Sequence, residues 1–216
     1  MRHRGSMPCL IAVVFASLAV PVAEADDAPR FEMTPTIGYR IGGRFDVQSN
    51  ATDVPDTSVD VGDGATYGLD LGLYRDAQGF YELLYSHQGA SLDAKTPDLD
   101  GLDVDIEYYQ FGGTAFFPEA AEKVLPYLSF TLGATRFSAA GYDSETKFSG
   151  TLGAGVRVPL GAHLAAVLGL RGYLTLIDSK TEFLCVSNGG DAGCLLKASG
   201  STFFQGEAQL GLALRF

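Results

Sequence analysis

The chain has 216 residues and carries 26 acidic against 15 basic side chains, a formal charge of −11. That excess of carboxylates argues against nucleic acid, whose phosphates need a basic surface. Beyond the first twenty-five residues no apolar run approaches the roughly 20 residues of a membrane-spanning helix, so a helical membrane protein is excluded as well.

Residues 1–25 read as a cleaved signal peptide. Arg2, His3 and Arg4 form a basic start, LIAVVFASLAV is a short apolar stretch, and Ala23-Glu24-Ala25 is a small-x-small cleavage site before Asp26. Cys9 leaves with it. The remaining residues, 26–216, form one domain in which apolar side chains recur every second position, the period of a strand.

Eight strands are expected, at 34–47, 64–75, 79–90, 103–117, 125–138, 147–159, 163–177 and 201–216. Each meets or exceeds the ~9–11 residues a tilted strand needs to cross a bilayer. The connections after the second, fourth and sixth strands are short (RDAQG, PEAAEKV, LGAH). Those after the first, third, fifth and seventh are longer, and two are rich in aspartate, with Asp53, Asp56, Asp60 and Asp63 in one and Asp93, Asp98 and Asp100 in another. The strand at 103–117 is irregular in its pattern, because Ile106 and Tyr108 share parity with Gln110 and Thr114. A bulge, or a length of strand projecting above the membrane, is expected there. In the sixth and seventh strands the faces separate cleanly. Leu152, Ala154, Val156 and Val158 oppose Gly153, Gly155 and Arg157, and Leu164, Leu168, Leu170 and Leu174 oppose Gly169, Arg171 and Tyr173. Small glycines beside long arginines suit the crowded inside of a narrow barrel.

The last strand, QGEAQLGLALRF, sets Ala208, Leu210, Leu212, Leu214 and Phe216 against Gln205, Glu207, Gln209 and Arg215 and stops on an aromatic residue. Tyr39, Phe45, Tyr67, Tyr74, Phe80, Tyr81, Phe117, Tyr127 and Phe148 fall near strand ends, where interfacial girdles sit. A soluble barrel of lipocalin type would alternate in the same way with its apolar side inward. The signal segment, FSGTLGAGVRVPL, LRGYLTLID and the closing LALRF together resemble the small eight-stranded outer-membrane barrels of the OmpA/OmpX/OmpW type. The resemblance implies an all-β, eight-stranded antiparallel transmembrane barrel in a bacterial outer membrane, with Phe216 ending an assembly signal read by the barrel-assembly machinery. Outer-membrane lipid and lipopolysaccharide would surround it, and no cofactor is implied.

Seven charged residues share the polar parity: Arg40, Arg44, Asp70, Glu82, Arg157, Arg171 and Glu207. Closing the sheet pairs the first strand with the last and brings Arg40 or Arg44 toward Glu207. Buried charges must be paired, so a plug of ion pairs is expected, with a gated polar pathway as the sharper reading. Ser86 and His87 are adjacent on one strand and point to opposite faces, and His163 lies in a turn, so no nucleophile–base pair is expected and the chain reads as non-enzymatic. No metal site is expected, since DVPDTSVDVGDG departs from the EF-hand pattern. Cys185 and Cys194 bracket a turn-rich octapeptide in the longest loop and are expected to form a disulfide. Two roles stay open: a structural or surface-interacting protein whose extracellular ligand is unknown, and a narrow OmpW-like channel for small, hydrophobic molecules.

Overall fold

A computed structural model describes residues 30–47, 57–93, 101–120, 123–177, 182–188, 191–197 and 202–216. The expected signal peptide at 1–25 lies outside the described residues, as do Asp53, Asp56, Asp98 and Asp100.

The period-two segments form strands close to where their patterns place them. Eight of them make the barrel wall: β1 (Phe31–Ile41), β4 (Gly64–Asp76), β5 (Gly79–Asp93), β6 (Asp103–Phe116), β7 (Leu125–Ala139), β8 (Glu145–Pro159), β9 (Leu164–Leu176) and β12 (Thr202–Arg215). Each pairs antiparallel with its neighbour in the chain, and β1 pairs with β12 to close the cylinder. A closed sheet has no free edge, which a wall in lipid requires because hydrocarbon offers backbone groups no partner. Two short hairpins lie in the long connections at the loop end: β2 (Arg44–Val47) with β3 (Thr57–Val61), and β10 (Glu182–Asn188) with β11 (Asp191–Lys197). At the opposite, terminal end β4 turns directly into β5, and the backbone N–H of Phe216 donates to the carbonyl of Phe31 at 2.9 Å.

Burial alternates along every wall strand. Outward positions are apolar and bare, with Ile37 67 %, Leu152 65 % and Leu170 65 % exposed. Inward positions are polar or small: Thr34, Thr36, Thr131, Ser149, Gln209 and the charged residues are all buried. That arrangement is the reverse of a lipocalin and matches a wall solvated by lipid. Tyr39, Tyr67, Tyr81, Phe117 and Phe148 face outward, whereas Tyr74, Phe80 and Tyr127, expected in the girdles, turn inward and pack in the lumen.

The expected bulge in β6 is absent. Its register with β5 and β7 runs without a shift from Val104 to Ala115, and Ile106 and Tyr108 keep the inward parity of Gln110 and Thr114. They are apolar because they lie in the upper lumen, where Ile106 belongs to a hydrophobic roof and Tyr108 packs against it. The outward positions at that height, Asp103, Asp105 and Glu107, are polar, so the strand does rise beyond the apolar band.

Two local features shape the wall. The β1–β12 ladder skips Thr34 and Pro35, between Met33↔Leu214 and Thr36↔Gly211, although β1 pairs with β4 throughout. Proline has no N–H to give, and the seam loses one rung there. Where β6 and β7 cross closely, Gly112 leaves no room for a side chain: a Cβ would stand 2.0 Å from the carbonyl oxygen of Phe130.

Candidate functional site

The lumen is filled in tiers by side chains from every wall strand. In the tier at the terminal end, Glu32 of β1 is a hub. It receives hydrogen bonds from Arg157 Nη2, from the Tyr74 hydroxyl at 2.7 Å, from Arg215 Nε at 3.2 Å and from Thr34 Oγ1 at 3.1 Å. The Arg157 guanidinium also lies against the rings of Phe116 and Phe80, 5.0 and 5.4 Å from their centroids. These aromatics with Ala165, Val167 and Ala213 make an apolar floor. Stacking on ring faces holds a cation where water is scarce.

In the middle tier Arg171 bridges two carboxylates. Its Nη2 is 2.8 Å from Asp70 Oδ2 and 2.8 Å from Glu82 Oε1, and Thr114 Oγ1 donates to Glu82 Oε2 at 2.6 Å. The glycines expected beside the arginines have a defined use here. The Tyr127 hydroxyl would be 2.3 Å from a Cβ on Gly169 and 2.7 Å from one on Gly155, so both positions must lack a side chain for the ring to enter. Between the lower two tiers remains a cavity of about 20 Å³, lined by Glu32, Asp70, Glu82, Arg157 and Arg171. That is space for about one water molecule.

In the upper tier Arg40 is fully buried and clamped between Tyr108 and Tyr173, with ring centroids 4.9 and 4.4 Å from Cζ. Its Nε donates to Glu207 Oε2 at 2.8 Å, and its Nη2 reaches Glu207 and Ser86. Above it Tyr108 donates to Gln205 Oε1 at 2.9 Å, and Gln205 Nε2 donates to Gln88 Oε1 at 2.9 Å. A roof closes over this layer, in which Val59 and Val61 of β3 pack with Leu92, Ile106, Phe137 and Phe203.

Six of the seven charged residues named from parity therefore point into the lumen: Arg40, Asp70, Glu82, Arg157, Arg171 and Glu207. Arg44 is a correction. Gly42 and Gly43, with φ of 80° and 116°, break the strand after Ile41 and reset its parity. Arg44 consequently stands outside, its side chain 64 % exposed, with Nε 2.7 Å from Asp60 Oδ1 on the β2–β3 hairpin. Glu32 and Arg215 belong to the network and were not expected in it. Glu32 precedes the strand start expected at residue 34, and Arg215 is expected only on the polar face of the last strand. Extending the alternation two residues upstream of Thr34 would have found Glu32.

Ser86 and His87 do point to opposite faces: Ser86 is held by Arg40 inside, and His87 stacks on Tyr67 outside, 4.6 Å between centroids, beside Asp105. His163 lies in the turn before β9, its Nδ1 3.2 Å from the carbonyl oxygen of Arg215. In the outer hairpin the backbone register sets Cys185 directly opposite Cys194.

A closed cylinder of eight tilted strands, apolar outside and packed with paired charges inside, defines a small transmembrane β-barrel of the kind found in bacterial outer membranes. The sequence profile of the outer membrane protein beta-barrel domain matches residues 10–216, and the chain belongs to that family. A search among curated proteins finds no match. Among solved structures the fold is similar to AlkL, determined by solid-state NMR in lipid bilayers, with a TM-score of 0.58, 13 % identity, and 90 % of this chain and 94 % of that one covered. It is equally similar to OprG from Pseudomonas aeruginosa, with a TM-score of 0.58, 15 % identity and coverage of 87 % and 97 %. Neisserial surface protein A aligns with a TM-score of 0.53, 16 % identity and coverage of 86 % and 97 %. At these identities the likeness is one of fold.

Proposed function

We propose that this protein is a closed, non-catalytic outer-membrane barrel that acts through the surface at its loop end, in a structural or surface-recognition role. The observation that carries this reading is the filled lumen: three tiers of ion pairs and aromatic rings under an apolar roof, with about 20 Å³ of open space between the lower two. An eight-stranded barrel is wide enough only for its own side chains or one small ligand, and here the side chains occupy it. Function then passes to the loops, which a rigid scaffold commonly presents for binding.

Several features support this reading. The long connections all lie at the end opposite the termini, which in this class is the cell exterior. Directly opposed positions in an antiparallel pair lie within bridging distance, so the register of Cys185 and Cys194 suits a disulfide that orders the outermost hairpin. Among the described residues Ser86 and His87 face apart, which fits an absence of acyl-transfer chemistry. Export is assigned to residues 1–25, with cleavage after Ala25, and assembly to the terminal strand ending at Phe216. The partners in this reading are the barrel-assembly machinery during biogenesis, then lipid and lipopolysaccharide, and an extracellular ligand at the loops.

Single-channel recording of the refolded barrel in a planar bilayer tests the proposal. A silent barrel, in the wild type and in Arg40→Ala and Glu207→Ala, is expected if the roof seals the lumen independently of the upper ion pair. Resolved conductance that changes in either variant would overturn it and make the lumen charges a gate in a narrow channel.

A further inference from the structure

At the terminal end the outward face of the wall changes abruptly from apolar to charged. On β4 the outward series Tyr67, Leu69, Leu71 and Leu73 ends at Arg75, the first charge on that face. On the membrane side of Arg75, the register sets Leu73, Tyr81, Gly113 and Phe130 in one row across β4, β5, β6 and β7. Tyr81 and Phe130 are half-exposed, and Phe117 stands out from the following turn, as the aromatic belt of a lipid–water boundary requires. In the orientation proposed above this boundary faces the periplasm. The leaflet there is phospholipid, with lipopolysaccharide confined to the opposite one.

A groove of about 610 Å³ opens at this height between two turns, lined by Arg75, Gln78, Ala115, Phe117, Pro118 and Glu119. Its walls are tied together, because the backbone N–H of Phe116 donates to the carbonyl of Gln78 at 2.7 Å and that of Phe117 to the carbonyl of Pro126 at 2.9 Å. The cation in the groove is held by its edge. Asp76 Oδ1 accepts from the backbone N–H of Gln78 at 2.8 Å, and Asp76 Oδ2 accepts from Arg75 Nε at 2.7 Å. One carboxylate thus closes the turn and orients the guanidinium. Among the described residues that bond engages Nε alone, which leaves both Nη nitrogens to a second, bidentate anion. Toward the membrane, outward Gly113 lies between Tyr81 and Phe130, and Ala115 between Gly79 and Leu128, so small residues extend the groove down β6 into the apolar band.

We propose that this groove binds a phospholipid of the periplasmic leaflet through a zwitterionic phosphoethanolamine headgroup. The phosphate meets the Nη nitrogens of Arg75, the ammonium meets Glu119 on the opposite turn, and one acyl chain runs past Ala115 and Gly113 beside the Tyr81 ring. Charge selects this headgroup over an anionic one. Arg75 stands with two carboxylates, Asp76 at its edge and Glu119 across the groove, so a net negative head would enter a site that is already negative. A zwitterion offers each of Arg75 and Glu119 its opposite charge and adds no net charge.

Native mass spectrometry of the full-length barrel purified in mild detergent tests the site, using phosphatidylethanolamine and phosphatidylglycerol at equal concentration. One phosphatidylethanolamine should be retained in preference to phosphatidylglycerol. Arg75→Gln should lower its retention about fivefold, and Glu119→Gln should lower the preference over phosphatidylglycerol by about as much, the scale of one partly exposed charged contact. Arg136→Gln, which removes an exposed cation at the loop end, should change neither, and heat-modifiable gel migration establishes that every variant is folded. Equal retention of both lipids, preference for phosphatidylglycerol, or binding unchanged in either groove variant would each overturn the proposal. The readout does not depend on whether the lumen conducts, so this proposal and the closed-barrel reading fail separately.

Discussion

Arg40 and Glu207 meet across the seam that closes the barrel, one from the first wall strand and one from the last, directly opposite in register and almost completely buried. Neither has water to fall back on. Removing Glu207 leaves the Arg40 charge uncompensated between Tyr108 and Tyr173, and removing Arg40 leaves the buried Glu207 carboxylate without its cation, a loss of about 3–5 kcal/mol in either case. Glu207→Gln and Arg40→Met should each lower the urea midpoint of the barrel in lipid vesicles by that scale. The double variant Arg40→Met with Glu207→Leu, which removes both charges, should recover most of the loss.

The missing rung at Pro35 makes a second expectation. Pro35→Ala supplies an N–H where the β1–β12 ladder skips, and a ladder hydrogen bond contributes about 1 kcal/mol. Loss of the proline's restraint on the unfolded chain offsets roughly half of that. The net effect should be a small rise in stability, and hydrogen exchange should find the new amide at position 35 protected like those of Thr34 and Thr36. An amide there that exchanges freely would mean that β1 and β12 are held apart by something other than proline.

Glycines in the wall divide by what a methyl group would meet. At Gly112 it would strike the backbone of Phe130 and Thr131, which no side-chain motion can relieve. Gly112→Ala should cost about 1–3 kcal/mol and reduce the folded fraction on semi-native gels. At Gly206 the nearest atom is Ile41 Cγ1 at 3.9 Å, and Gly206→Ala should fold like the wild type.

The Arg44–Asp60 pair is the exposed counterpart of the lumen pairs. Arg44→Ala should change stability by less than about 1 kcal/mol, with the difference shrinking further at high salt. Loss on the scale expected for Arg40 would place Arg44 in the lumen network after all.

For the hairpin tip, a thiol titration of denatured, non-reduced protein purified from the membrane should find no free thiol from Cys185 and Cys194. A count of two would remove the bridge and leave the hairpin held by its backbone pairing alone.

How much of this was legible beforehand depends on the reach of the evidence each residue carries. Strand alternation is a local signal, and Leu170 against Arg171 or Leu210 against Glu207 declares its face within a few residues. The barrel and six of its inward charges follow from that alone. Which charges pair does not, because Arg157 finds Glu32 at a separation of 125 residues and Arg171 finds Asp70 at 101. Arg44 was misplaced because alternation was carried across Gly42 and Gly43, whose positive φ values permit the chain to turn out of the wall. Aromatic residues misled for a similar reason: Phe80 and Tyr127 fall at strand ends, as girdle residues do, but parity and not position along the strand decides whether a ring meets lipid or the lumen.

The long separations within the lumen also bear on how the barrel comes together. To the three lumen tiers the first three wall strands contribute Glu32, Asp70 and Glu82 with the cation Arg40, and the last three contribute Arg157, Arg171 and Arg215 with the anion Glu207, apart from the Lys147–Glu145 pair that β8 neutralises by itself. Each half of the sheet alone would present unmatched charge of one sign on its concave face, the early half negative and the late half positive. Curling the sheet brings the two faces together, so neutrality is a property of the finished cylinder only. A half-built wall is soluble on that side, and the apolar floor and roof can seal only when the last strand has delivered its arginine and its glutamate.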